Sequence, residues 1–189
     1  MARSLVEAEE GVQVVNVLPR REFDQDDIMG IEFRIAEGHF LRMFNKGPNG
    51  RVNIQSIDIV KNKRLKAKFD RKKTELASKG CGQSLLLFHG TPSKNIESIL
   101  INNFDIRKRA NGRNYGDGVY FSERPEVSLA YSREKGRSGR TLLLCQVLMG
   151  SNLREVRKQE GSEDSEERCW AVVMPDVDQI LPRYVIHLN

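Results

Sequence analysis

The stretch NYGDGVYFSERPEVSLAYS, residues 114–132, gathers three of the chain's four tyrosines and two of its glycines into nineteen residues of a protein that is only 7% aromatic. Gly118 to Ser122 reads as a short strand. Ser122 or Pro125 then starts a helix, since proline suits a first helical position. In a helix from about Pro125, Ser128 and Tyr131 lie three apart and share a face, while Leu129 lies on another. Tyr120 belongs to the strand before. A strand, a turn and a helix of this kind would bring two phenol rings and a hydroxyl around one small cavity, which suits a flat, polar aromatic ligand. The plainer alternative is that the tyrosines pack the strand against the helix.

Upstream, LLLF (85–88) is a short continuous apolar run of the kind found in a strand buried on both faces. His89 and Gly90 follow at its end. A glycine there leaves the backbone unobstructed, so the pair can offer a ligand a side-chain hydrogen bond together with a main-chain N–H and C=O. Thr91 then caps a helix with Pro92 at its first position, and Ile96, Ile99 and Leu100 form its buried stripe. The basic, glycine-bearing stretch 105–118 is a loop.

The remaining chain adds strands and helices around these two segments. GVQVVNVL (11–18) and RVNIQSIDIV (51–60) read as strands. Asp26 and Asp27 cap a helix whose face is formed by Ile28, Ile31, Ile35 and Phe44, with Phe40 and Leu41. TLLLCQVLMG (141–150) is a long strand, 151–168 is polar, and WAVVM (170–174) and YVIHL (184–188) are strand-like. Strands with helices inserted between them, no internal repeat and no strong boundary imply a single α+β domain.

Composition sets the class. A chain of 189 residues, 39% hydrophobic and 30% charged, can bury a core of its own. No apolar run is long enough to span a membrane and no secretory signal opens the chain, so an intracellular protein, of cytoplasm or nucleus, is expected. Cys81, Cys145 and Cys169 are odd in number and widely spaced, which suits neither a disulfide framework nor a zinc site. No metal is expected. The net charge of +5 is uneven: KNKRLKAKFDRKKTELASK, from Lys61 to Lys79, carries nine Lys or Arg. With Leu65, Phe69 and Leu76 at helical spacing it reads as an amphipathic helix with a solvated basic face; nucleic acid is the alternative partner for that face.

LLLFHGTP, then a basic loop, then YGDGVYFSERPEVSLAYS, in this order and spacing, resembles the catalytic domain of the poly(ADP-ribose) polymerase family, and in particular its small mono-ADP-ribosyltransferases. The similarity runs from about Ile57 to the C-terminus, where QILPRYVIHL resembles the family's last strands. It implies an ADP-ribosyltransferase fold: a split, mostly antiparallel sheet with flanking helices around an NAD⁺ site, residues 57–189 forming that domain. Residues 1–56 would be an extension packed as part of the same domain. An all-helical regulatory domain is not expected, nor is activation by DNA breaks.

By the same resemblance, His89 would hydrogen-bond the adenine-side ribose and Gly90 would pair through its backbone with the nicotinamide carboxamide. Tyr131 would stack on the nicotinamide, Ser128 would bond its amide, and Tyr120 would close the other side. Thr91 and Asn114 join the NAD⁺-binding set, and Arg107, Lys108, Arg109 and Arg113 of the loop would approach the pyrophosphate. Polymerising members follow a His-Tyr-Glu pattern. Aligning QILP (179–182) puts the third position at Ala171, or at Trp170 or Cys169 if a residue is inserted, and none is a carboxylate. Glu166 and Glu167 would need a shift of two to five residues. Transfer of one ADP-ribose to a protein acceptor, itself included, is therefore the expected activity. The rivals are an NAD⁺-binding pseudoenzyme and an RNA 2′-phosphotransferase, for which only His39 and His187 remain as further histidines.

Overall fold

The alternating and apolar runs become strands of two antiparallel sheets, and the amphipathic segments become helices on them. The computed structural model describes residues 3–8, 11–19, 24–44, 52–107, 116–133, 139–151, 154–157 and 169–189. Along the chain the elements are β1 (Arg3–Ala8), β2 (Val12–Val17), α1 (Ile28–Met43), β3 (Ile54–Asn62), α2 (Lys63–Ala77), β4 (Ser84–Gly90), α3 (Ile96–Asn102), β5 (Val119–Phe121), α4 (Pro125–Leu129), β6 (Arg140–Leu148), β7 (Arg154–Arg157), β8 (Cys169–Met174) and β9 (Ile180–Leu188). The larger sheet has the order β1-β2-β3-β9-β6-β4 and the smaller β5-β8-β7. This is an α+β architecture split into two sheets, as expected.

Strand alternation sorts the core into two layers. On one face of the larger sheet Phe33, Ala36 and Phe40 of α1 pack with Ile59, Leu144 and Phe88. On the other, Leu87, Leu143 and Val185 pack with Leu100 and Phe104 and with Phe121 and Met174 of the smaller sheet. His89 lies opposite Leu143 on β6, which lies opposite Val185 on β9. It therefore belongs to the second layer, where the two sheets meet.

The face of α1 departs from expectation. Ile28 and Ile35 are 65% and 46% exposed and Leu41 is 54% exposed, while Phe33, Ala36 and Phe40 are buried. The helix carries two apolar stripes, and the one with the larger aromatic payload wins. Its rotation is fixed by Glu32, which accepts from the Tyr184 hydroxyl and from Arg183 on β9. Asp27 caps the helix, accepting from the Gly30 N–H at 3.0 Å.

Smaller departures follow local chemistry. After Gly90 the chain makes a 3-10 turn at Ser93–Asn95 before α3 begins at Ile96; the Thr91 hydroxyl accepts from Asn95 Nδ2 at 3.0 Å rather than capping a helix. β9 begins at Ile180, four residues before the run that reads as a strand. β1 and β7 are additional strands, and β7 falls in the polar stretch 151–168. The basic segment is helical as read: Leu65, Phe69 and Leu76 of α2 are buried, and Asn62 caps it by accepting from the Leu65 N–H at 3.0 Å. Residues 3–17 supply the two strands that extend the sheet beyond β3.

Candidate active site

The site begins where β4 and β5 part. Phe88 and Ser122 exchange both backbone hydrogen bonds, 2.8 and 2.9 Å, as an isolated bridge. In an antiparallel ladder such pairs recur at every second residue, so the next rung would join Gly90 to Tyr120. It is not made. The Tyr120 carbonyl accepts from His89 Nδ1 at 2.8 Å instead. The Gly90 N–H and C=O lie along the same edge as those of Phe88, and no strand among the described residues continues the ladder there. Of two successive outward rungs, the first is taken by Ser122 and the second opens into the gap between the sheets.

Gly90 is required by close approach. A Cβ at position 90 would stand 1.7 Å from the Ser128 carbonyl oxygen and 3.2 Å from Tyr131 Cβ, so only a bare backbone lets α4 lie this close. Pro125 starts α4 at its first turn, as read. Ser128 is buried and its hydroxyl donates to the Phe88 carbonyl at 3.0 Å, which ties α4 to the last closed rung and leaves the serine oxygen as an acceptor. Tyr131 lies past the end of α4 and its side chain is 54% exposed. Ser128 and Tyr131 thus come to the same edge as Gly90, one inside and one at the rim.

His89 is held from three directions. Besides the bond to Tyr120, its ring meets Phe104 edge-on at 4.8 Å and Phe121 at 5.7 Å. Donation to a carbonyl requires the proton on Nδ1, so the neutral ring presents Nε2 as an acceptor. Burial among these rings pushes the imidazole down to about 4, the carbonyl bond opposing in part. At neutral pH it is uncharged.

Tyr120 connects the two walls of the gap. Its carbonyl takes His89; its ring packs with Ala171 and Val173 on the opposite face of β5 and β8; its hydroxyl donates to the Gly116 carbonyl at 2.7 Å. Ala171 is buried and β8 brings it beside the Tyr120 ring. Gly118, at φ +148, passes so close to β8 that a Cβ would lie 2.8 Å from the Met174 oxygen, which explains the second glycine of the opening stretch. Arg107 is not gathered in: its side chain is exposed and its guanidinium is tied to Asp105 at 2.9 Å. Asn114, Lys108, Arg109, Arg113, Glu166 and Glu167 lie outside the described residues, as do the side chains of Cys169 and Trp170. Thr91 is buried at the end of β4.

Comparison with known proteins assigns the chain to a family. The model of the poly(ADP-ribose) polymerase catalytic domain matches residues 31–170. The chain belongs to that family. The match takes in most of α1, ahead of Ile57 where the sequence resemblance begins, and stops before β9. Among relatives, the mouse protein mono-ADP-ribosyltransferase PARP11 is 36% identical over 176 residues, covering 74% of this chain and 53% of its own length. Human protein mono-ADP-ribosyltransferase PARP12 is 30% identical over 151 residues, covering 70% of this chain and 21% of its own. A probable poly [ADP-ribose] polymerase of Dictyostelium discoideum is 29% identical over 133 residues, covering 66% of this chain and 39% of its own. The chain thus spans about half or less of each relative.

Other groups with chemical potential fall away from the gap. His39 sits on α1 against Phe88, on the opposite face of the sheet from His89, and His187 is bonded to Asp58 at 2.7 Å. No helix among the described residues is long and apolar enough to cross a membrane, and no cluster of metal-ligating side chains occurs among them. Lys66, Lys68 and Lys72 on α2, and Lys79 just past its end, each face a carboxylate, from Asp70, Asp178, Glu75 with Asp176, and Glu75 respectively. The charge that α2 offers an outside partner is smaller than the residue count suggests.

Sequence reasoning missed two contributors. Phe104 and Phe121 fix the His89 ring, and the hydrophobic periodicity of their segments gave no sign that they face a histidine rather than plain core.

Proposed function

We propose that this chain binds NAD⁺ across the open edge of β4 and transfers a single ADP-ribose unit to a protein acceptor, itself included, releasing nicotinamide. The observation that carries the reading is the unmade rung at Gly90. A primary carboxamide presents one of its two N–H groups on the same side as its C=O, so the two together can pair with the Gly90 C=O and N–H in place of the missing strand partner. Ser128 adds an oxygen to the same amide, and Tyr131 supplies an exposed ring for stacking.

The chemistry follows from charge. Breaking the bond between the ribose anomeric carbon and the pyridinium nitrogen sends the electron pair to the ring, which leaves as neutral nicotinamide, while positive charge builds on the sugar. Gripping the leaving ring on one side and holding the ribose on the other lowers that barrier. The His89 Nε2 acceptor suits a ribose hydroxyl. The acceptor's nucleophile then forms the new bond to the anomeric carbon and gives up its proton. Extension of a chain requires activation of a ribose hydroxyl, which is far less acidic than a carboxylate acceptor, and a general base supplies that step. Ala171, beside Tyr120, is apolar. The mouse and human relatives, both mono-ADP-ribosyltransferases by name, support single transfer as well.

Incubation with NAD⁺ followed by mass spectrometry of the intact protein tests the reading. Adducts of one ADP-ribose per modified residue are expected, and His89→Ala removes them in a folded protein. Extended polymers would overturn the single-transfer reading. A thermal shift with NAD⁺ and no adduct would favour the pseudoenzyme.

A further inference from the structure

Asn103 is the one non-glycine residue with positive φ among the described residues, at φ 68. It ends α3, its N–H bonding the Ile99 carbonyl. A helix end of this shape is ordinarily served by glycine, which takes the conformation without steric cost. A side chain kept at such a place must be used for something.

Here both amide hydrogens and the amide oxygen are used. The Asn103 amide donates to the carbonyls of Val177 and Ile180 at 2.8 and 3.0 Å, and its oxygen accepts from the Phe104 N–H at 3.0 Å. Val177 lies in the turn between β8 and β9 and Ile180 opens β9; the turn is itself held by Gln179 on the Leu148 carbonyl and by Asp176 on Lys72. Asn103 joins that fixed turn to the residue whose ring meets His89 at 4.8 Å. One buried amide therefore links the connection leaving β8 to the imidazole at the end of β4.

We infer that Asn103 is a positioning residue: by locking the end of α3 to the β8–β9 turn it sets the Phe104 ring against His89, which keeps Nδ1 on the Tyr120 carbonyl and Nε2 turned toward the substrate ribose. The inference rests on the NAD⁺ reading of this site and names a residue that touches neither substrate nor the reacting atoms.

Two variants test it. Asn103→Gly keeps the backbone conformation and removes the three side-chain hydrogen bonds; Asn103→Asp keeps the size and replaces the donating amide with a carboxylate facing two carbonyls. In each, nitrogen NMR of the His89 ring is expected to show loss of the fixed Nδ1–H tautomer and titration moving up from about 4 toward 6.5. The KM for NAD⁺ rises by about tenfold, as expected of a small displacement of a binding group. In a Phe104→Ala background, Asn103→Gly adds less than about twofold, because the two act in series. A folded Asn103→Gly protein with unchanged His89 signals and KM, or effects that multiply, overturns the inference. If both Asn103 variants unfold, Phe104→Leu, which leaves every Asn103 bond in place, must shift the His89 signals alone, and unmoved signals overturn it. Should the wild-type chain neither bind nor consume NAD⁺, the functional reading fails while the ring signals still decide the positioning.

Discussion

The two walls of the gap are built on different principles. The wall of β4 and α4 is made of backbone: Gly90, the Ser128 carbonyl against it, and the Ser128 hydroxyl on Phe88. The wall of β5 and β8 is made of apolar side chains, with the Tyr120 ring on Ala171 and Val173. The first is packed so closely at Gly90 that it has almost no freedom to relax, and the second is apolar at Tyr120, Ala171 and Val173, the side chains described there. A rigid backbone surface and an apolar side-chain surface are thus supplied by different elements of the fold.

The sharpest way to break that contrast is Gly90→Ala. Its methyl would overlap the Ser128 carbonyl, 1.7 Å away, so α4 must shift bodily. NAD⁺ labelling is expected to fall at least about a hundredfold, the penalty of an ångström-scale misplacement, together with a lower melting temperature. Labelling at the wild-type rate would mean that α4 does not form the wall. Ala171→Glu probes the other side. A carboxylate among Tyr120 and Val173 gains no partner, and urea denaturation should show a loss of about 2–4 kcal/mol, the scale of an unpaired buried charge. Unchanged stability would show that this wall is wetter than its packing implies.

The smallest effect is on pH. The imidazole of His89 is at about 4 in the fold against 6.5 for the free side chain, so between these values the unfolded chain binds more protons. Stability therefore falls as pH drops from about 6.5 toward 4 and is insensitive to this group above 6.5. His39 is lowered too, chiefly by burial, and adds to the slope in the same direction. His89→Gln should flatten only part of the acid limb in a series of melts from pH 7 to pH 4; an unaltered limb would show that His89 is solvated.

How much of this could be read from the chain depends on whether a signal is local. The strands at 85–88 and 141–150, the basic helix and the proline-started helix all announced themselves through local pattern and turn chemistry, and the motif residues Gly90, Ser128 and Tyr131 fell on one edge. The buried face of α1 did not, because Ile28, Ile31 and Ile35 compete with Phe33, Ala36 and Phe40 and the choice is made by Glu32 meeting residues about 150 positions away. β7 was hidden in a polar stretch whose pairing with β8 supplies what its composition lacks. The role of Asn103 was equally silent: nothing adjacent in sequence says that its amide will find Val177 and Ile180.

The Phe88–Ser122 bridge has a mechanical meaning as well. Leu87 and Leu143 of the larger sheet pack with Phe121 and Met174 of the smaller across the same seam, so burial clamps the two sheets together while the single pair of hydrogen bonds sets the point along β4 at which the second sheet is attached.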